Sequence, residues 1–139
     1  MSVKIEISNE GSHFVSNVHN GQVDMQLDLP MAAGAPYSGY SPVDLLLSSI
    51  AYCKLATVRF IAMKNQWKLE KITAQLEMKE DMTGELPETS VSMKMQIQGE
   101  LKEEQKAQLL AAANHCHVHQ LLEGNWKIED IQLESEVLS

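Results

Sequence analysis

Residues 41–53 read SPVDLLLSSIAYC, and this run predicts the start of a long helix. Ser41 suits the N-cap, Pro42 suits the first helical position, and Asp44 sits where a carboxylate can reach back to free backbone amides. After Asp44 the run carries no charge. Because a helix that is apolar on nearly all sides is usually buried, we expect a central, buried helix that ends at about Asn65.

Alternating apolar and polar residues predict antiparallel strands on both sides of this helix. Asn20 and Gly21 suit the positive φ angles of a type I′ turn, so the segments around them are expected to form a hairpin. The predicted strands cover residues 3–7, 12–19, 22–29, 72–78 and 91–97.

The rest of the chain predicts a second helical region from Leu101 to Glu123 and a final strand from Trp126 to Glu134. Helices and antiparallel strands in this order indicate an α+β fold. With 139 residues, a single domain across residues 1–139 is the natural expectation. Folding of a domain of this size buries roughly 68–70% of the surface of the unfolded chain.

Charge and composition narrow the possible functions. The chain has 19 acidic and 11 basic residues and a formal net charge of −8, which argues against nucleic-acid binding and against docking on an anionic membrane. No uninterrupted apolar run approaches the roughly 18 residues of a membrane span, and the charged, alternating start differs from a secretory signal. We therefore expect a cytoplasmic protein, in which structural disulfides are uncommon.

The two cysteines are the main candidates for chemistry. Cys53 lies about three turns into the predicted helix, and Cys116 lies in the second helical region within the run HCHVH. A free cysteine in an apolar helix is commonly an inert core residue. A second thiol among histidines, in a protein without other cysteines, favours a reactive pair instead. The residues alone leave both interpretations open.

Two segments together resemble a known family. Residues 41–53 resemble the Pro-x-x-Leu-Leu…Cys signature of the OsmC/Ohr family of organic hydroperoxide reductases, and residues 113–119 resemble its second-cysteine segment, usually Cys-Pro-Val. The spacing between the cysteines, the order of elements and the chain length also agree. The resemblance implies an OsmC-like fold, with antiparallel sheets around a long buried central helix, in an intertwined homodimer.

The resemblance also implies an activity and a set of partners. Cys53 would attack an organic hydroperoxide and become a sulfenic acid, and Cys116 would resolve it as a disulfide. A dithiol such as a lipoyl group would then regenerate both thiols, with no metal or organic cofactor. The alternative is a non-enzymatic OsmC-like protein that binds or senses a small apolar or thiol-reactive ligand.

The thiolate-stabilising group of the family has no obvious counterpart here. The family uses an arginine from its N-terminal segment, held by a glutamate near the start of the central helix. The sole arginine, Arg59, lies about 120° around the helix from Cys53, and Lys54 points about 100° away from it. Only Asp44 could replace the glutamate.

Histidines beside the second cysteine are the other candidates for stabilising a thiolate. His115 and His117 flank Cys116, and His117 stands where the family commonly has proline. On a continuous helix His115 and His119 would share a face, with Cys116 as a third ligand. A complete metal site on one helical turn is geometrically awkward, so no metal site is predicted.

Methionines supply much of the expected apolar interior. The predicted inner faces of the strands carry Met25, Met78, Met93 and Met95. Because methionine fills irregular gaps, core packing is the simpler interpretation. The alternative is an adaptable apolar channel beside Cys53 for a greasy substrate tail.

Overall fold

The computed structural model describes residues 2–11 and 13–134 and has two antiparallel sheets and three helices within them. The predicted α+β class is therefore confirmed. The elements in chain order are β1 (Glu6–Asn9), β2 (Ser16–His19), β3 (Asp24–Leu27), α1 (Pro42–Lys64), β4 (Lys68–Asp81), β5 (Glu88–Glu100), α2 (Glu103–Ala113) and α3 (His117–Glu123).

The first sheet contains β1, β2 and β3 in sequential order, and the predicted hairpin is confirmed as β2–β3. Its turn differs from the expectation. Residues 20–23 connect the strands, and only Gly21 among them has a positive φ, whereas a type I′ turn needs two such residues. The Asn20 side chain closes the loop by accepting the amides of Gln22 and Val23, both at 2.9 Å. The strands are shorter than predicted, and Ser12 lies outside the described residues.

Local capping fixes the start of α1 as the sequence predicts. The Ser41 hydroxyl accepts the Asp44 amide at 3.2 Å, and the Asp44 carboxylate accepts the Ser41 amide at 3.0 Å. Pro42 occupies the first turn and Asn65 is the C-cap. The helix begins and ends where its predicted bounds lie.

The second sheet is the long hairpin β4–β5, and Arg59 of α1 holds its first end. The strands pair in register except near Glu70, where β4 has a bulge. The Arg59 guanidinium donates to the carbonyls of Leu69 at 2.6 Å and Glu70 at 3.1 Å. On the partner strand a Cβ at Gly99 would lie 2.3 Å from a β4 carbonyl, so the close strand approach requires glycine. The single arginine is thus a structural brace between helix and sheet.

A small core joins α1, β4 and α2. Its buried members are Val58 and Ala62 from α1, Leu69 from β4, and Leu109 and Ala113 from α2. Trp67, Met95 and other half-buried residues surround them. This core holds the end of α2 against the second half of α1 and so positions the segment that carries Cys116.

The expectation that α1 is buried on nearly all sides is wrong for the single chain. Only Val58 and Ala62 of the helix are buried, whereas Tyr52 is 70% exposed and Met63 is 69% exposed. The chain has 11,924 Å² of accessible surface, against about 7,200 Å² for a compact monomer of 15.5 kDa. The hairpin β4–β5 and the two later helices cover one side of α1 and leave the other side to solvent.

Hydropathy alone does not distinguish α1 from a membrane span. An 18-residue window of Pro42–Lys64 has a mean hydropathy of 1.5, so the helix is long and apolar enough to cross a bilayer by length and composition. The window is not an uninterrupted apolar run, since every 18-residue stretch of this helix includes Lys54, and the expectation that the protein does not bind a membrane stays a prediction. Core helices of soluble proteins pass the same test.

Two predicted elements in the C-terminal third are wrong. The second helical region is two helices, because Asn114 caps α2 and Cys116 has the extended angles φ −71° and ψ 154°. Residues 126–134 form no strand, and Ile131 and Leu133 are 99% and 98% exposed. A strand needs a neighbour for its backbone hydrogen bonds, and in the described chain none pairs with this segment.

Candidate thiol site

Cys53 lies on the half-buried side of α1 and faces the start of α3. Its Sγ atom accepts a hydrogen bond from the Val118 amide at 3.4 Å. Val118 belongs to the first turn of α3, whose amides have no partner within the helix. The sulfur therefore faces the N-terminal end of a helix, which carries partial positive charge.

Cys116 lies at the same helix start. It is 2% exposed, and its backbone is the N-cap of α3, although its side chain makes no capping hydrogen bond. The sulfur of Cys53, which lies on α1, accepts the hydrogen bond from the Val118 amide that an N-cap side chain commonly accepts. Neither cysteine forms a disulfide. Cys53 contacts the first turn of α3 through its sulfur, and Cys116 directly precedes that turn in the chain.

A polar chain beside this turn connects three elements. The Lys54 ammonium donates to the carbonyl of Ala113, the last residue of α2, at 3.1 Å and to His119 Nδ1 at 3.0 Å. His119 Nε2 lies 2.5 Å from Glu123 Oε1. Because an ammonium only donates, Nδ1 must accept, and the ring proton of a neutral His119 is on Nε2, toward the carboxylate.

An open groove of about 330 Å³ lies next to this polar chain, between α1, β5 and α3. Cys53 does not line it, but its helix neighbours Ile50 and Lys54 do, and Met93 lines it as the alternative of an apolar channel suggests. Met95 instead packs against the core, and Met25 is exposed. The groove is lined by Ile50, Lys54, Thr89, Val91, Met93, His119, Leu122 and Glu123.

The predicted thiolate-stabilising residues occupy other positions. Asp44 caps α1 and accepts the Tyr37 hydroxyl at 3.1 Å, and it lies about 13 Å along the helix axis from Cys53. Hydrogen bonds from the Ser41 backbone and hydroxyl lower the pKa of Asp44 below its usual value. His115 and His117 are exposed, and neither imidazole is hydrogen-bonded to a thiol. A role for any of the three in stabilising a thiolate stays a prediction.

The arrangement of histidines differs from the one considered for a metal. His115 precedes α3, so it does not share a helical face with His119. Within residues 2–11 and 13–134 there is no group of three or more His, Cys, Asp or Glu side chains that could hold a metal ion.

Sequence reasoning missed the groups that surround the thiols. A single helix over residues 101–123 hides the Val118 amide, because an amide inside a helix has no free proton to donate. The angle between Lys54 and Cys53 on α1, and the spacing of His119 from His115, do not indicate the contacts that Lys54 and His119 make. One signal was available: the family's proline after the second cysteine is typical of the first position of a helix.

A comparison with family models now identifies the relationship. The model described as OsmC-like protein matches residues 34–129, well over half of the chain. The chain belongs to the OsmC-like protein family. The match includes both cysteines, the whole of α1, and both later helices.

Solved structures of OsmC-like proteins have the same fold. The OsmC-like protein from Mycoplasma pneumoniae is 20% identical with a TM-score of 0.72, covering 89% of this chain and 89% of that one. The organic hydroperoxide resistance protein OsmC from Legionella pneumophila is 20% identical with a TM-score of 0.65, covering 90% and 91%. OhrB, the organic hydroperoxide resistance protein of Bacillus subtilis, is 20% identical with a TM-score of 0.62, covering 90% and 93%. No curated protein sequence matches this chain.

The fold explains one departure of this OsmC-like chain from the family pattern. His117 occupies the first position of α3, and the preceding Cys116 has extended angles. Proline favours that helical position and an extended residue before it. The family's usual proline and the histidine found here therefore suit the same backbone.

Proposed function

We propose that this protein reduces organic hydroperoxides, with Cys53 as the peroxide-reactive thiol and Cys116 as the resolving thiol. The observation that carries the proposal is the hydrogen bond from the Val118 amide to Cys53 Sγ, two residues after Cys116. It supports the proposal because the Cys53 sulfur lies at the helix start whose N-cap is Cys116, where it has a backbone donor at the partially positive end of a helix. The printed descriptions of the Legionella and Bacillus structures name organic hydroperoxide resistance, which agrees with this chemistry.

The reaction proceeds in two steps at the sulfurs. The Cys53 thiolate attacks the terminal peroxide oxygen, the O–O bond breaks, and the alkoxide leaves and takes a proton to become the alcohol. Cys53 is now a sulfenic acid. The Cys116 thiolate attacks this sulfur, the S–O bond breaks, and hydroxide leaves and takes a proton to become water. Two electrons have passed from the thiol pair to the peroxide, and a disulfide remains.

A dithiol returns the pair to its reduced form. Its first thiolate attacks the Cys53–Cys116 disulfide and frees one protein thiolate. Its second thiolate then attacks the mixed disulfide and frees the other, so the reductant leaves as a cyclic disulfide and both protein thiolates take up protons. A lipoyl group has the required pair of thiols. The cycle needs no metal or organic cofactor, and a transient disulfide is compatible with a cytoplasmic location.

We also propose that two copies assemble as an intertwined homodimer. The single chain exposes about 4,700 Å² more solvent-accessible surface than a compact monomer of its mass. This excess is far larger than the roughly 800 Å² that each partner buries in an ordinary interface. Much of it is apolar, including the open side of α1 and residues 126–134. Light scattering on the eluting protein should give twice 15.5 kDa, whereas a 15.5 kDa particle at micromolar concentration would contradict the assembly.

A binding or sensing protein without turnover is the second candidate. The groove between α1, β5 and α3 supports it, because four of its lining side chains are apolar: Ile50, Val91, Met93 and Leu122. Such a protein would take up a small apolar or thiol-reactive ligand beside Cys53 and would consume no hydroperoxide.

Stopped-flow oxidation distinguishes the two functions. Mixed with one equivalent of an alkyl hydroperoxide, the wild type should lose both thiols without gaining an oxygen in mass. Cys116→Ala should instead retain a sulfenic acid on Cys53 that a 1,3-dione probe traps, and Cys53→Ser should not react. If the wild type keeps both thiols and the peroxide is not consumed, the binding protein is favoured and the peroxidase is rejected.

A further inference from the structure

The segment between α2 and α3 is short and carries the buried thiol. Residues 114–116 connect Ala113, the last residue of α2, to His117, the first residue of α3. Cys116 is the residue immediately before α3. The position of Cys116 therefore depends on how firmly the end of α2 and the start of α3 are held. The core holds α2 through Leu109 and Ala113, but α3 has no buried residue.

One side chain connects both flanks of this segment to the helix that carries the other thiol. Lys54 follows Cys53 in α1, and its ammonium bonds the Ala113 carbonyl at 3.1 Å and His119 Nδ1 at 3.0 Å. The carbonyls of the last turn of a helix lack partners within the helix, and a cation there is favourable. The lysine thus makes one charge-assisted bond on each side of residues 114–116.

We propose that Lys54 is a positioning residue that holds Cys116 within reach of Cys53, and that His119 makes this hold sensitive to pH. The inference deepens the proposed peroxide chemistry and rests on it for its biological meaning, because disulfide formation at a resolving thiol is the step that depends on this distance. Lys54 touches neither sulfur in the contacts described, so its effect is on position.

The sensitivity to pH follows from the roles of the two imidazole nitrogens. Neutral His119 accepts from Lys54 at Nδ1 and donates to Glu123 at Nε2. When the ring is protonated, both nitrogens carry hydrogen, and Nδ1 loses its lone pair and faces an ammonium. The charged groups around the ring are Lys54 from α1 and Glu123 from α3, while the β5 residues that line the same groove are uncharged. Protonation of the ring should therefore break the contact between Lys54 and His119, while the bond from Lys54 to the Ala113 carbonyl of α2 remains.

The effect of Lys54 on the position of Cys116 can be measured without peroxide, as the equilibrium constant between the Cys53–Cys116 disulfide and glutathione. Oxidised glutathione takes two electrons and two protons from the Cys53–Cys116 dithiol, and the products are the protein disulfide and two molecules of glutathione. At pH 8 we expect Lys54→Met to lower the equilibrium constant for the disulfide roughly tenfold, as expected for a lost charge-assisted bond. Lys64→Met is the matched control, since Lys64 is an exposed lysine at the end of the same helix, and it should leave the constant unchanged.

A second arm of the experiment separates positioning from a general loss of structure. At pH 5 the difference between wild type and Lys54→Met should shrink, because a protonated Nδ1 can no longer accept from Lys54. His119→Asn keeps an acceptor near Nδ1 that does not titrate, so it should resemble the wild type at pH 8 and keep its disulfide stability at pH 5. Lys54→Arg should retain most of the effect of lysine.

The outcomes are decisive in each direction. Equal constants for Lys54→Met and Lys64→Met, a difference that is the same at both pH values, or the failure of the wild type to form the disulfide would overturn the proposal. If Lys54→Met does not fold, His119→Leu removes the acceptor alone and carries the same expectation at pH 8. A protein that is inert to hydroperoxides but retains the Lys54 effect would reject the peroxidase and leave the positioning role intact.

Discussion

Replacing Val118 by proline would test the contact on which the proposed chemistry depends. The Val118 amide donates to Cys53 Sγ at 3.4 Å and lies in the first turn of α3, where amides have no partner within the helix. Proline lacks the N–H and is tolerated near a helix start, so Val118→Pro removes the donor. Proline disfavours helical angles at the preceding His117, so the test requires that the helix content stays equal to that of the control. Val118→Ala removes most of the side chain but keeps the N–H, and it is the matched control.

The size of the effect follows from the geometry of this hydrogen bond. A bond to a charged group contributes about 1.5–3 kcal/mol, and a sulfur acceptor at 3.4 Å belongs at the lower end. Loss of a contact worth about 1.5 kcal/mol changes a rate or equilibrium constant roughly tenfold. In a Cys116→Ala background, Val118→Pro should therefore be alkylated by iodoacetamide at pH 7 about ten times more slowly than Val118→Ala.

The alkylation rates are read by mass spectrometry of the intact protein, with far-UV circular dichroism to confirm equal helix content. Equal rates for Val118→Pro and Val118→Ala would refute the reasoning. The amide of α3 would then have no part in activating Cys53, and its activation would have to come from another group.

Four further predictions concern stability. His117→Pro should keep the reactivity of both thiols and raise the free energy of unfolding by about 0.4–1 kcal/mol, measured by urea titration, because the first position of α3 suits proline. Ser41→Ala should cost about 1 kcal/mol through the lost cap of α1. Since the pKa of Asp44 is lowered from 3.8 in the folded chain, its stabilising effect is full above that value and is lost as the pH falls below it. The stability difference between wild type and Asp44→Asn should accordingly vanish in acid, and a difference that persists would contradict the sign. Gly99→Ala should lower the melting temperature strongly, because its Cβ would clash with a backbone carbonyl at 2.3 Å, whereas Gly84→Ala, with its nearest contact at 3.6 Å, should change it little.

The parts of the fold that local chemistry decides were predictable from the sequence. The cap formed by Ser41 and Asp44 fixes the start of α1, and simple alternation identifies both hairpins. The pairing of Cys53 with the Cys116 segment came from family resemblance, and the hydrogen bond from Val118 agrees with it. These features depend on residues close in the chain or on patterns shared across a family.

The parts that depend on distant contacts were not predictable. Asn114 is a weaker signal for a helix end than glycine or proline, and Lys54 on α1 contacts both sides of the break. The alternating residues 126–134 were expected to form a strand, but a strand exists only where another edge accepts its hydrogen bonds. Burial of α1 likewise depends on what covers it, and one copy of the chain covers only one side.

The contact between Cys53 Sγ and the first turn of α3 makes one backbone amide sensitive to the chemical state of a distant side chain. The Val118 amide donates a hydrogen bond to Cys53 Sγ while that sulfur is a free thiol. A covalent bond to the sulfur changes the strength of this hydrogen bond and therefore the exchange of the Val118 amide proton. Hydrogen–deuterium exchange at a single backbone position would therefore follow the oxidation of a side chain more than sixty positions away in the sequence. Signals from isotopically labelled protein in a living cell could be read in the same way, with no dye attached to either thiol.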